Sequence, residues 1–548
     1  MLREYIKQLD KLPQSAMANS LEIDSNKPII GIVSAQNELA VAHNHLDDIY
    51  QRVKEGVLSK GASAKIIHVP SIDNTALRGT QSAKYDLPSR ELTANAIELA
   101  CSTDYFDGLV FVASEPNIVA GMLLGAIRLN MPCAFICQGV MTPIYDQGVE
   151  HGLYYFYDQI AKVKLGSTPH NQLAKITKNI PLVTGTDCDS YGANSFNCVL
   201  EVLGLAAKGN GTATATSAER YNIAYKTGEL AVTLVQGKCS PRRMIKQTTL
   251  CNAIKFDLAC GGSTSTLLNL IAIAKELAIK NVNLKAISEI CKKTPLLLRK
   301  EKLDVCLMTQ FHNAGGSYAM LKQLLEAKLV TGDTTLYEDS TLDDVLSEVT
   351  IANTNVICPI ENCVASSARI KVIDGNVAEE GALVQFNGTD VEFTGVAKIY
   401  NNEEMAVEAI LRREIHTGDV VVIRGEGPKS GPGMREIYVS LALLKAFGLE
   451  KVAVVTDGRI ADIYNGFAVG HVTPETGERN IFSVLQDGDE IEINVAKGKI
   501  NCDIKAKELA NRYRNCDEGV GNYGNLFLKN WSKTCGSASE GCVTKVTK

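Results

Sequence analysis

Between residues 28 and 350, short apolar runs alternate with amphipathic stretches, and this alternation constrains the fold more than any other feature. "KPIIGIVSA", "SAKIIHVPS", "FDGLVFVAS" and "MPCAFICQG" read as short buried strands. "SRELTANAIELACS" and "NLIAIAKELAIKN" read as helices between them. Strands alternating with helices predict a layered α/β domain around a largely parallel sheet. Near residue 365 the texture changes. "SARIKVIDGNVAEEGALVQFNG", "DVEFTGVAKIYN", "GDVVVIRGEGPKSGPGM", "KVAVVTDGRI" and "GDEIEINVAKGKINCDI" are strand-rich and punctuated by Gly, Asp and Asn. Helices are predicted at "EEMAVEAILRRE" and "REIYVSLALLKAFG". The expected division is therefore an α/β domain over residues 1–365 and a β-dominated domain over 366–548.

Composition narrows the class. Of the 548 residues, 45% are hydrophobic and 22% charged, as in an ordinary globular protein with an ample core. The net charge of −6 is spread along the chain, and no basic block points to nucleic acid. No apolar run is long enough to predict a membrane span. The opening "MLREYIKQLDKLPQS" lacks the apolar core of an export signal, so a cytoplasmic setting is expected. The 16 cysteines are scattered, mostly in apolar patterns such as Cys198, Cys251 and Cys306, with no CxxC pair. Free thiols are expected rather than disulfides or zinc. The Gly/Asn/Ser-rich tail is expected to be an irregular arm packed on the body or on a partner chain.

Four local patterns could carry chemistry. "RGEGPKSGPGM" (424–434) combines many exposed backbone N–H groups with little side-chain bulk, which lets a ligand approach the backbone. There Glu426 could hold a metal, and Lys429 or Arg424 could meet a carboxylate or phosphate. The alternative is a plain strand-to-helix turn. In "VVTDGRIADIYNGFAVGHV", Asp457 and Arg459 are expected to form an ion pair bracing the turn, and His471 to satisfy a nearby carbonyl. Cys188 stands between Asp187 and Asp189, whose charges should raise its pKa and make it a poor nucleophile. His43 and His45 are two residues apart and share no helix face, which disfavours a helical two-histidine metal site. Together these patterns predict an enzyme-like α/β protein with a ligand site between two domains.

A collinear series of motifs goes further. "KPIIGIVSAQNELAVAHNHL", "YDLPSREL", "GGSTSTLLNLIAIAKE", "FHNAGGSYAMLKQLLEAKLVTGDT", "GDVVVIRGEGPKSGPGM" and "SASEG" resemble the dihydroxy-acid dehydratase/6-phosphogluconate dehydratase family in order and spacing. "GANSF…LEVLGLA" and "VTDGRI…GFAVGHVTPE" extend the match, which covers nearly the whole chain. The resemblance implies an N-terminal three-layer α/β/α domain, a C-terminal β-barrel-like α/β domain of swivelling type, and a homodimer or higher homo-oligomer. It implies a hydro-lyase that turns a 2,3-dihydroxy acid or sugar acid into a 2-keto acid. It also implies an iron–sulfur cluster on the leaving hydroxyl, a divalent cation such as Mg²⁺ on the carboxylate, and a serine alkoxide as base.

The chain departs from that pattern at the positions that matter most. Where the family writes Cys-Asp-Lys, this chain has Ser114, Glu115 and Pro116. Capping alone accounts for those three residues: Ser as N-cap, Pro in the first turn, Glu near the helix's positive end. The other cluster cysteines fall at Ala42 and at Asp187, beside Cys188. The first metal aspartate falls at Asn74, beside Asp73, and the catalytic serine falls at Ala461. With Ala42, Ser114 and Asp187 at the ligand positions, no bound cluster is expected. On this resemblance Glu115, Asp73, Asp187 and Glu426 are expected to hold a cation. Lys429, Ser430, Gly431 and Arg459 are expected to bind substrate, and His43, His312 and Tyr464 are the candidate bases. Two readings follow: a divergent hydro-lyase with a rebuilt site, or a non-catalytic homologue that binds an acid metabolite or pairs with an active paralogue. A third is another lyase or isomerase that uses the same enolate-stabilising pocket.

Overall fold

The computed structural model describes residues 12–21, 24, 26–102, 105–113, 115–146, 148–179, 184–188, 191–299, 307–334, 336, 340–386, 391–514 and 525–545. Strands β1 (Ile29–Ser34), β2 (Ser63–His68), β3 (Gly108–Ala113) and β4 (Cys133–Cys137) form a parallel sheet in the order β2-β1-β3-β4. Every residue of β1, β3 and β4 is buried. A sheet covered on both faces demands such unbroken apolar runs. The edge strand β2 is only half-buried.

The helix Leu46–Ser59 follows β1, Asp86–Cys101 follows β2, and Pro116–Leu129 follows β3. The step from β1 to β2 and the step from β2 to β3 run in opposite directions across the sheet. Right-handed crossovers therefore place the first helix on one face and the other two on the opposite face, giving three layers. The helix Ala218–Gln236 lies against Leu46–Ser59 at a close crossing. A methyl on Gly228 would sit 2.1 Å from the Val53 carbonyl oxygen, and one on Gly56 2.0 Å from that of Tyr225. A small hairpin, β5 (Ile144–Asp146) and β6 (Val149–His151), follows the sheet.

The second half carries β7 (Ile370–Ile373), β8 (Gly381–Gln385), β9 (Glu392–Tyr400), β10 (Asp419–Ile423), β11 (Glu436–Ile437) and β12 (Ala453–Thr456). β13 (Arg459–Ile460), β14 (Phe467–Thr473), β15 (Glu490–Asn494) and β16 (Lys499–Cys502) complete it. An eight-stranded mixed sheet runs β16-β15-β9-β10-β12-β14-β8-β7. The Asp374 N–H donates to Gly498 O at 2.9 Å and Ile500 N–H to Asp374 O at 2.9 Å. The chain just past β7 thus meets the β16 edge, and the sheet closes nearly into a barrel. Closure removes the exposed edge that an open sheet would offer to other chains. The apolar interior (Val420, Val422, Val455, Val469 and Ile491) fills it. The predicted helices appear as Glu403–Leu411 and Val439–Ala446 on its outside.

The tail packs on its own chain and contains the helix Leu526–Thr534, more order than its composition suggests. Trp531, Cys535 and Cys542 pack on Leu87, Leu268 and Met434. The buried Arg90 donates to the carbonyls of Gly541 and Cys542 at 2.9 and 2.8 Å. Every cysteine among the described residues is a free thiol; Cys306 lies outside them. No helix of the described residues is long and apolar enough to cross a membrane.

The helix crossing at Gly56 and Gly228 leaves no room for a methyl against backbone oxygen. Gly228→Ala should therefore cost about 1–3 kcal/mol of stability through forced separation of the two helices. A lowered urea midpoint would show it; an unchanged midpoint would mean the helices part freely.

Candidate functional site

A cavity of ≈ 80 Å³ opens between the two halves of the molecule. The N-terminal half contributes Glu115, Pro116 and Asn117, just past the end of β3, together with Asn74 and Arg78 beyond β2. In an open α/β sheet, ligands gather outside the carboxyl ends of the strands where the strand order reverses, and β1 and β3 flank that point here. The C-terminal half contributes Glu436, Tyr438, Arg459, Ala461 and Asp462.

One cross-domain clamp fixes the floor. In the short parallel pair β11–β13, Glu436 stands opposite Arg459. Arg459 is 2% exposed and pairs with the buried Asp86 carboxylate at the start of the helix Asp86–Cys101. Its Nε donates to Met434 O at 2.9 Å and its Nη1 to Ser265 Oγ at 3.1 Å. Asp86 also accepts from Asn117 Nδ2 at 2.8 Å, which ties the turn after β3 to the same carboxylate. The expected Asp457–Arg459 pair is not formed. Asp457 instead accepts the backbone N–H groups of Gly425, Glu426 and Thr476 at 2.9–3.2 Å, since it lies under the glycine-rich loop.

The cavity wall brings several ionisable side chains together. Glu115 is 6% exposed, and its carboxyl makes no hydrogen bond or ion pair within the described residues. Burial, then the neighbouring carboxylates of Asp73 and Asp86, push it up to about 8, against the pull of Arg78. Glu115 is also the residue that caps the helix Pro116–Leu129, with Pro116 in the first turn. The cap expected at Ser114 thus falls one residue later, and Ser114 itself lies outside the described residues. Asp187 faces the Arg78 guanidinium at 3.6 Å, and Arg78 stacks over the Tyr438 ring at 4.2 Å.

Of the residues singled out from sequence, Asn74, Glu115, Pro116, Asp187, Arg459, Ala461 and Tyr464 line this cavity. Tyr464 sits there with its hydroxyl turned to the Val452 carbonyl at 2.8 Å and its pKa raised by burial, which suits a strut better than a base. The others lie elsewhere. His43 is fully buried, has no hydrogen-bond partner among the described residues, and is held down to about 4 by burial and the nearby His45. His312 bridges Thr212 Oγ1 at 2.9 Å and Glu219 at 3.1 Å. Asp73 caps the short turn Asn74–Leu77 through Ala76 N–H, and its neighbour Asn74 faces the cavity. His471 does not meet its expected carbonyl through Nε2, which is buried without a partner among the described residues. The Cys188 thiol is buried, 3.9 Å from His151 O.

The glycine-rich loop turns its donors onto the protein itself. Lys429 N–H, Ser430 N–H and Ser430 Oγ all donate to one Glu475 oxygen at 2.8 Å, while Lys429 Nζ pairs with Glu478 at 2.8 Å. Gly431 closes so tightly that a Cβ there would meet Glu426 Cα at 2.4 Å. Glu426 is fully buried and bound by Arg435 at 2.6 Å and by Glu403 N–H at 3.0 Å. Its carboxyl is pushed up to about 7 by burial, opposed by Arg435 and Lys84. The glutamate of the C-terminal half that reaches the cavity is Glu436, ten residues on; Arg78, Arg369 and Asp462 also line it. Sequence reading passed over Glu436 because only the β11–β13 register sets it beside Arg459.

A two-domain α/β protein with a charged cavity between its halves is the class this architecture defines. Residues 27–345 match the dihydroxy-acid/6-phosphogluconate dehydratase N-terminal family, and residues 355–542 its C-terminal counterpart. The chain belongs to the dihydroxy-acid/6-phosphogluconate dehydratase family. It is 36% identical to the dihydroxy-acid dehydratase of Clostridium novyi (strain NT), over 95% of each chain. It is 34% identical to that of Pyrococcus abyssi (strain GE5 / Orsay), over 98% of each. It is also 34% identical to that of Desulfitobacterium hafniense (strain DSM 10664 / DCB-2), over 92% of this chain and 91% of the relative.

Two outcomes follow from the site's electrostatics. Arg459→Met leaves the Asp86 carboxylate buried and unpaired, which should cost about 3–5 kcal/mol. Adding Asp86→Asn to that variant should restore part of the loss in a denaturation double-mutant cycle. Glu115 keeps its proton in the folded chain up to about 8, whereas its unfolded carboxyl ionises near 4.5. The folded state therefore binds the extra proton across that window, and stability falls as pH rises through it. Glu115→Gln should gain stability relative to the parent between pH 5 and 8, by urea unfolding at each pH; a constant difference would refute the assigned protonation.

Proposed function

We propose that this chain is a hydro-lyase that removes water from a 2,3-dihydroxy acid or sugar acid to give a 2-keto acid, and that it does so without an iron–sulfur cluster. The observation that carries the reading is the interdomain cavity. It gathers Asn74, Glu115 and Ala461, positions where the resemblance puts metal ligands and base, in a chain of this family. Absence of the cluster is supported by the donor set. The described ligand positions offer a methyl at Ala42 and a carboxylate at Asp187, neither of them a thiolate.

A hard divalent cation fits better. Burial, then the neighbouring carboxylates, raise the Glu115 carboxyl, and a cation would supply the missing positive charge. Glu115 and Glu436, with the Asn74 amide oxygen, would hold it. When bound it supplies Lewis-acid polarisation of the substrate's hydroxyl and enolate oxygens. Ala461 has no group to take the C2 proton, and Tyr464 is engaged with backbone carbonyls. Asp462, the next residue, lines the cavity and is oriented by the Gln385 amide, so it is the proposed acceptor of the C2 proton, which it passes to the departing C3 hydroxyl so that water leaves. Arg459, held by Asp86 and Ser265, sets the floor against which the substrate sits. On the same reading the chain divides at residues 365/366 and works as a homodimer or higher homo-oligomer in the cytoplasm.

A second reading draws on one fact. Ala461 presents a methyl to the cavity where the resemblance calls for a serine, which suits a homologue that binds an acid metabolite without turning it over. Assay of 2-keto acid formation from a panel of 2,3-dihydroxy and sugar acids, with Mg²⁺ or with EDTA, separates the two. The hydro-lyase reading expects turnover that needs Mg²⁺ but no iron, with Asp462→Asn at least 100-fold slower and binding retained. Tight binding without turnover supports the second reading. Stoichiometric iron and sulfide in anaerobically purified protein would refute the cluster-free claim.

A further inference from the structure

Arg78 is a cavity cation whose hydrogen-bonding fork is unanswered among the described residues. Its side chain is 13% exposed. A guanidinium carries five N–H donors in a fixed plane. None of them makes a hydrogen bond within the described residues, and the buried Nε has no partner there. The facing Asp187 oxygen stands at 3.6 Å, which supplies charge but lies outside hydrogen-bond range. The Arg78 Cζ lies over the Tyr438 ring at 4.2 Å, a cation–π contact that supplies charge stabilisation but no acceptor oxygen for the fork. Arg459 shows the contrast on the same wall, since its fork is filled by Asp86, Ser265 and Met434. Buried polar groups of folded proteins are almost always paired, so an unanswered fork in a cavity marks a place for a ligand.

We infer that Arg78 binds the carboxylate of a small hydroxy acid directly, as a bidentate pair, without a metal ion between them. A carboxylate matches the guanidinium fork in plane and spacing. The ≈ 80 Å³ of the cavity suits a compact acid. Arg369, another wall residue, likewise makes no side-chain hydrogen bond or ion pair within the described residues, and adds positive charge. Asp187 is then the internal counter-ion that keeps Arg78 company until the acid arrives. By the resemblance, Asp187 stands where a cluster ligand would be, so an arginine–carboxylate pair now fills that corner. This assignment rests on the proposed reading of the cavity as the site, and deepens it by naming the group that selects acids.

Isothermal titration in EDTA, with glycerate and 2,3-dihydroxyisovalerate as probes and glycerol as the uncharged control, tests it. The parent chain should bind at least one acid and not glycerol. Arg78→Met should weaken that binding at least tenfold, and Arg78→Lys, which keeps charge but loses the fork, should fall between them. Asp187→Asn, which removes the competing carboxylate, should tighten binding severalfold, a change of opposite sign that a folding defect would not produce. Failure of the parent to bind either acid in EDTA, or equal affinity in Arg78→Met, overturns the assignment. Turnover plays no part in this readout. Arg78-dependent binding without keto-acid formation would sink the hydro-lyase reading alone, and turnover with Arg78-independent binding would sink this assignment alone.

Discussion

The pair between Asp86 and Arg459 is the interaction on which the rest of the site depends. Both side chains are almost wholly buried, and they join residues 373 positions apart in the chain. Such a pair repays its desolvation only when the remaining donors and acceptors are also met. Here Asn117 adds a second hydrogen bond to the paired carboxylate oxygen, and Met434 O and Ser265 Oγ accept from the guanidinium's Nε and Nη1. One arginine from the barrel side therefore fixes the turn after β3, the start of the helix after β2 and the helix Thr264–Glu276. The cavity exists because those elements cannot slide.

Around that anchor, the molecule divides its charged groups into two populations. Asp457, Glu475 and Glu426 are answered from inside the chain, by backbone N–H groups or by Arg435. Each is hydrogen-bonded through at least one carboxylate oxygen, and their role is to fold the glycine-rich loop onto the barrel. Glu115 and Arg78 are different. Each is largely buried, each faces the cavity, and neither is hydrogen-bonded through its charged group within the described residues. In a low-dielectric wall that condition is unfavourable for the empty protein and favourable for the first complementary ligand to enter. The same comparison separates scaffold from site without reference to any relative.

Local chemistry was legible wherever it answered to sequence-near forces. The apolar runs of β1, β3 and β4 announce a doubly covered parallel sheet because burial on both faces leaves no polar position. The turn after β3 reads as a helix start because proline suits the first turn, although the capping position falls on Glu115. Composition misjudged the tail, whose helix owes its order to Leu87, Leu268 and Met434, residues from other parts of the chain.

What the sequence determined by itself was the layered α/β class, the change to a strand-rich second half, and a family likeness carried by motifs in order. Those are set by periodicity, turn residues and burial, all of them properties of neighbouring residues. Only the tertiary structure decided which charged groups meet. It chose Glu436 over Glu426 for the cavity, gave Arg459 to Asp86 instead of Asp457, folded Lys429, Ser430 and Gly431 onto Glu475, and set Arg78 against Asp187. The physical reason is that a buried charge is governed by whatever lies within a few ångströms of it, and in a chain of 548 residues those neighbours are distant in sequence.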